Sequence, residues 1–134
     1  YHQALPAAEQ GRVQVVGFVP DVFRYSGAAD VIITRAGATN LAEFAVQGKA
    51  CIVIPSPFLT GGHQLKNTAI LAEQQAAVVV SEADLTAKPK VLGEQIAALV
   101  ADPAQARALG QRFAAFGNPR AAEAVAELLL RHAA

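Results

Sequence analysis

A chain of 134 residues, 53% hydrophobic and 16% charged, is sized for one domain with a large apolar core. Its 11 basic and 11 acidic side chains cancel, so it lacks the basic surplus of a nucleic-acid binder. No apolar run approaches the ~20 residues needed to span a bilayer, and a single cysteine excludes an internal disulfide.

Residues 1–11 mix polar and small side chains around Pro6 and read as a loop or a frayed helix. The chain opens on Tyr1 without Met, as expected of a processed chain or a piece of a longer one, and no signal peptide is visible. Residues 12–16, RVQVV, alternate and read as a strand, followed by the loop Gly17-Phe18-Val19-Pro20-Asp21. Asp21 caps a short helix over 22–28. The apolar run Val31-Ile32-Ile33 then ends in Thr34 and Arg35, and Gly37 turns the chain into a helix over 39–47. Gly48 stops it, as a residue suited to the left-handed conformation at a helix C-terminus. Residues 51–54 form the next buried strand, with Cys51 as a small core residue. It breaks into PSPFLTGG, a loop rich in Pro and Gly. Residues 63–74 carry Leu65, Ala69, Ile70 and Leu71 at helical spacing, and 76–80 read as a further strand. Three helices finish the chain. Thr86 caps one that runs to Val100, with Pro89 in its first turn. Asp102-Pro103 opens a second to about Phe116, and Asn118-Pro119 a third, whose stripe is Ala122, Val125, Leu128 and Leu129.

Strand and helix alternating with short links predict a parallel, Rossmann-like α/β sheet with flanking helices and right-handed crossovers. The whole chain, 1–134, reads as one domain with no repeat and no dividing linker. In such a sheet ligands bind at the carboxyl ends of the strands, where the next helix begins with free N–H groups. Several chemistries are excluded by pattern. No GxGxxG or Walker loop occurs, and Ser56 lies between prolines, not in a GxSxG elbow. His2, His63 and His132 are far apart and none has metal-ligand spacing, so no metal site is predicted.

Three loops end strands on the predicted rim. In Thr34-Arg35-Ala36-Gly37-Ala38-Thr39-Asn40, small residues admit a ligand to the helix start, and Glu43 follows about one turn later, placed to accept from two neighbouring ribose hydroxyls. A plain tight turn, with Glu43 as a solvated partner of the helix dipole, fits the same spacing. In Thr60-Gly61-Gly62-His63-Gln64-Leu65-Lys66-Asn67, polar groups at a helix start suit sugar hydroxyls, though taken alone ordinary helix-start chemistry is the better account. Phe18 suits stacking on a flat base, with Val19 backbone groups at its edge, or burial in the core.

Taken together, GFVPD, ADVIITRAGATNLAEFAVQGKACIVIPSP and GGHQLKNTAILAEQQAAVVV closely resemble the carboxyl-terminal domain of MurG-type glycosyltransferases. The resemblance runs from about Arg12 to the end. It implies the carboxyl-terminal half of a GT-B enzyme that moves N-acetylglucosamine from UDP-N-acetylglucosamine to a lipid-linked muramyl-pentapeptide in peptidoglycan precursor synthesis. Such an enzyme is cytoplasmic and peripheral on the inner face of the plasma membrane. Residue by residue, Phe18 and Val19 match positions that flank uracil, and Arg35, Gly37, Ala38, Thr39 and Asn40 the loop around diphosphate and ribose. Glu43 matches the ribose-binding glutamate, His63 and Gln64 the polar pair beside the amino-sugar, and Asn67 the helix amide of that signature. Gly62 departs from the acidic residue that several members carry before the His.

The resemblance also implies absences. The domain's first strand with its GGS-type loop is missing, as is the amino-terminal acceptor domain with the catalytic base, so no catalytic residue is expected in this chain. The expected result is a partial domain whose sheet has an exposed edge or gap between residues 12–16 and 31–34. No cofactor is implied, and leaving UDP is held by backbone N–H groups instead of a metal, in keeping with the lack of an Asp-x-Asp motif. Two other readings remain open: the donor half of a different UDP-sugar transferase, and a non-catalytic nucleotide- or partner-binding module of a split enzyme.

Overall fold

The structure, a computed structural model, describes residues 5–57 and 63–133. Its elements are α1 (Ala7–Gln10), α2 (Val22–Ala28), β1 (Val31–Arg35), α3 (Ala38–Val46), β2 (Ala50–Ile54) and α4 (His63–Glu73), then β3 (Val78–Val79), α5 (Glu82–Ala87), α6 (Val91–Ala101), α7 (Pro103–Ala114) and α8 (Ala121–His132). The strands form one parallel sheet in the order β1-β2-β3, with Arg35 opposite Ile54 and Val53 opposite Val79.

The central strand explains the layers. Ala50, Cys51, Ile52 and Val53 are all buried, as a strand without polar residues must be when helices cover both faces. Alternate residues feed two cores. Ile32, Cys51 and Val53 pack with Leu41 and Phe44 of α3, Leu71 of α4 and Phe113 of α7. On the other face Ala50 and Ile52 pack with Val80, Leu99 of α6 and Leu109 of α7, with Leu85 of α5 beside them.

Helix α7 joins the two cores by passing very close to the turn before β2. A Cβ on Gly110 would stand 2.1 Å from the Gly48 carbonyl oxygen and 3.3 Å from the Ala50 nitrogen. Gly48 makes this turn at φ 61°, the left-handed conformation expected where α3 ends. Asp102 caps α7 by accepting from the backbone N–H groups of Ala104 and Gln105, both at 3.0 Å, with Pro103 at the first helical position.

Several expectations fail, each for a readable reason. Residues 12–16 do not form a strand; Val13, Val15 and Val16 are exposed and no ladder reaches them among the described residues. Alternation creates a strand only when a neighbour pairs with it. The strand expected over 76–80 shrinks to Val78–Val79, although Ala76, Ala77 and Val80 are buried. The helix expected from Thr86 to Val100 is two helices, because Pro89 interrupts it. Its cap is Ser81, whose hydroxyl accepts from the Asp84 N–H at 3.0 Å in a reciprocal capping box, while Thr86 lies inside α5. Asn118 Oδ1 accepts from the Arg120 N–H at 3.0 Å, and α8 starts only at Ala121. The stripe of α8 is real but uncovered: Val125, Leu128 and Leu129 are exposed.

The Gly110 contact gives a direct test. Gly110→Ala should cost about 2 kcal/mol or more, since overpacking a close backbone contact forces the helix off the sheet. Chemical denaturation of the variant beside wild type measures it, and unchanged stability would mean that α7 does not dock in this way.

Candidate functional site

Helices α3, α4 and α5 all begin at the carboxyl ends of the strands, the rim where a parallel sheet presents ligands. Gly37 precedes α3 with φ −69° and ψ 131°, ordinary extended backbone, and a Cβ built on it would meet nothing within 4 Å. Neither strain nor packing demands glycine there. What its missing side chain leaves is access to the start of α3, where no side chain caps the helix. Ala38, Thr39 and Asn40 are exposed in that first turn, so the helix start is open to solvent, the kind of place where backbone amides can meet an anion. Glu43 lies ~7.5 Å further along the helix axis, at 1.5 Å per residue. It is half-buried and makes no ion pair among the described residues.

Two amides tie α4 to this turn. Gln64 Oε1 accepts from the Ser56 N–H at 2.8 Å, pinning the loop after β2 to the first turn of α4. Asn67 Nδ2 donates to the Ala36 carbonyl at 3.5 Å, joining α4 to the β1–α3 turn. Ala38, Leu41, Asn67 and Ile70 help to line a cleft of about 220 Å³ between α3 and α4. His63 opens α4, but its side chain lies outside the described residues, as does the glycine loop before it.

Arg35 stands on the same rim but leaves the sheet on the other face. Strand alternation puts it on the side of Val31, which packs in the α6 core, and not on the side of Ile32, which packs under α3. Its Nη1 donates to the Ile54 carbonyl at 3.4 Å and its Nη2 to Glu82 Oε1 at 2.5 Å. Nothing in the sequence singles out Glu82, whose only signal is an acidic residue at a helix start, which usually means no more than a dipole partner. Phe18 and Val19 lie in the irregular segment before α2. Phe18 is 85% exposed, which rules out the core reading in this structure, and neither makes a hydrogen bond to the rim among the described residues.

Two titrating groups are displaced. Burial pushes the Cys51 thiol up to about 12, so it stays protonated and unreactive inside the sheet. Hydrogen bonds from the Ser81 hydroxyl and then the Ser81 N–H hold the Asp84 carboxyl below its usual value. A depressed carboxylate stabilises the fold above its unfolded pKa, ~3.9 for Asp, and that contribution fades as acid protonates it. A cleft of about 370 Å³ lies at the opposite, amino end of the strands beside Asp30, Lys49 and Arg107. There the Lys49 ammonium is already committed to the carbonyls of Gly27 and Ala29. The described residues contain no cluster of three metal-ligating side chains and no helix long and apolar enough to cross a membrane.

With this geometry in place, residues 2–125 match the family model for the glycosyltransferase family 28 C-terminal domain. The chain belongs to that family. It is 42% identical over 120 residues to a protein of Sorangium cellulosum named UDP-N-acetylglucosamine--N-acetylmuramyl-(pentapeptide) pyrophosphoryl-undecaprenol N-acetylglucosamine transferase, covering 90% of this chain and 29% of that protein. A Desulforudis audaxviator protein of the same name is 34% identical, over 92% of this chain and 32% of its own length. The crystal structure of Acinetobacter baumannii MurG matches at a TM-score of 0.75 and 29% identity, over 88% of this chain and 33% of that one. This chain therefore spans about a third of the length of these relatives. The match places the three parallel strands and their helices in the Rossmann-like carboxyl-terminal domain of the GT-B architecture.

Because no contact requires glycine at 37, Gly37→Ala should leave stability unchanged or raise it by up to about 1 kcal/mol through a less flexible unfolded chain. A thermal melt that fell instead would reveal a packing role and weaken the case that this turn is kept open for a ligand.

Proposed function

We propose that this domain binds the UDP-sugar donor of an N-acetylglucosaminyl transfer to a lipid-linked muramyl-pentapeptide. The observation that carries this reading is the open start of α3: an exposed first turn after an unforced glycine, with Glu43, which makes no ion pair among the described residues, further along the same helix. Membership of glycosyltransferase family 28 and the names of the relatives support it. The diphosphate sits on the amides of Ala38, Thr39 and Asn40, where the helix dipole favours negative charge. Glu43 accepts from the ribose hydroxyls. Phe18 and Val19 lie against uracil, while His63, Gln64 and Asn67 serve the amino-sugar side.

The reaction is an inverting displacement. The acceptor hydroxyl attacks the anomeric carbon, the bond to the UDP oxygen breaks, and the charge appearing on UDP is met by N–H groups already in place. The base that takes the acceptor proton belongs to an acceptor half outside this domain, so no residue here is assigned to catalysis. That half also brings the lipid-linked acceptor, which places the complete enzyme at the inner face of the plasma membrane.

Glu43→Ala should weaken UDP binding by ~1–3 kcal/mol, the range for removing one partner of a charged hydrogen bond. Calorimetry on the complete enzyme measures it, and an unchanged affinity would reject the ribose role. Saturation-transfer spectra should favour UDP-N-acetylglucosamine over UDP-glucose; the reverse preference would point to a different UDP-sugar transferase. Stable co-purification with a separate acceptor chain, without turnover, would favour a split binding module.

A further inference from the structure

Arg35 ends β1, Ile54 ends β2, and the two residues are register partners. The guanidinium of Arg35 bridges both strand ends to α5 through the Ile54 carbonyl and the Glu82 carboxylate. Glu82 is the first residue of α5, and that helix start is fixed in turn by the reciprocal bonds between Ser81 and Asp84. The side chains of Arg35 and Glu82 are 52% and 30% exposed, so the pair borders solvent. An ion pair so placed adds little to stability. What it does do is remove rotamer freedom from a long cationic side chain and give it one direction. The remaining guanidinium N–H groups have no partner among the described residues and stay available to an anion.

The geometry points to Glu82 as a positioning residue: it aims Arg35 across the ends of β1 and β2 so that the free guanidinium donors meet the diphosphate of the bound nucleotide-sugar. This rests on the donor-site reading above and adds a residue outside all three loops of that site. Removing Glu82 would leave a barer positive charge, but a swinging one. Recognition of a diphosphate by guanidinium is directional, so loss of aim outweighs the added charge.

The test is calorimetric titration of the complete enzyme with UDP and, separately, uridine. Glu82→Ala should weaken UDP by about tenfold, the scale of one misaligned charge-assisted contact, and leave uridine unchanged. Glu82→Gln keeps an acceptor for Nη2 and should recover part of the loss. In an Arg35→Ala background the effect of Glu82→Ala should vanish, because it acts through that side chain. Equal weakening of UDP and uridine would show a merely structural role for α5 and overturn the proposal, as would UDP affinity that stays the same or tightens. A wild-type enzyme that binds uridine and UDP equally overturns the diphosphate contact itself. If it binds neither, the donor-site reading falls and the role of Glu82 falls with it.

Discussion

The close approach of α7 to the turn before β2 is the constraint on which the rest of the domain depends. Gly110 lets the α7 backbone meet the Gly48 carbonyl, and Gly117 repeats the arrangement nearby, where a Cβ would stand 2.7 Å from the Val46 nitrogen. Helix α7 therefore packs at the end of α3 and the start of β2, and its Leu109 and Phe113 enter opposite cores. With one helix closing both layers against the amino half of β2, the strands' carboxyl ends are left for loops and helix starts. The first-turn N–H groups of α3, α4 and α5 gather there, as suits a site for an anionic ligand. The cleft of about 370 Å³ lies at the other end, beside an ammonium that already serves two backbone carbonyls.

Much of this was legible from residue order. The short helix over 22–28, the strand ending at Arg35, the αL stop at Gly48 and the all-apolar central strand follow from local chemistry and burial pattern, and they appear as read. Two segments show what periodicity leaves out. Residues 12–16 alternate like a strand and α8 carries a clean apolar stripe, yet both are uncovered. Periodicity tells which face a segment would bury; it says nothing about what buries it. β1 has an open edge among the described residues, and Ile33 on it is 46% exposed, so the unmet pairing lies on the side toward which residues 12–16 should have contributed.

The site was legible in part. Gln64 and Asn67 could be named from their motif, but their bonds could not. Each joins α4 to a different loop, so the residues read as sugar contacts are also the braces that hold the rim together. Arg35 was grouped with the α3 turn because it is adjacent in sequence. One step along a strand reverses the face, and the structure carries its side chain to α5 and Glu82, 47 residues away in sequence. No local pattern encodes a pairing at that distance.

Glycine shows where sequence and structure have to be combined. In the sequence, Gly37, Gly48 and Gly110 look alike, each beside a helix pattern or inside one. Their physical reasons differ. Gly48 needs the absence of a side chain for its φ of 61°, and Gly110 needs it for a backbone oxygen that would otherwise overlap a Cβ. Gly37 needs it for neither, since its backbone is extended and its surroundings are empty. Gly11, Gly17, Gly27 and Gly93 are equally open, so what sets Gly37 apart is its place, immediately before the uncapped start of α3. At Gly37 that open space adjoins amides that no side chain caps, with the Glu43 carboxylate further along the same helix, an arrangement suited to an anion that carries hydroxyl groups.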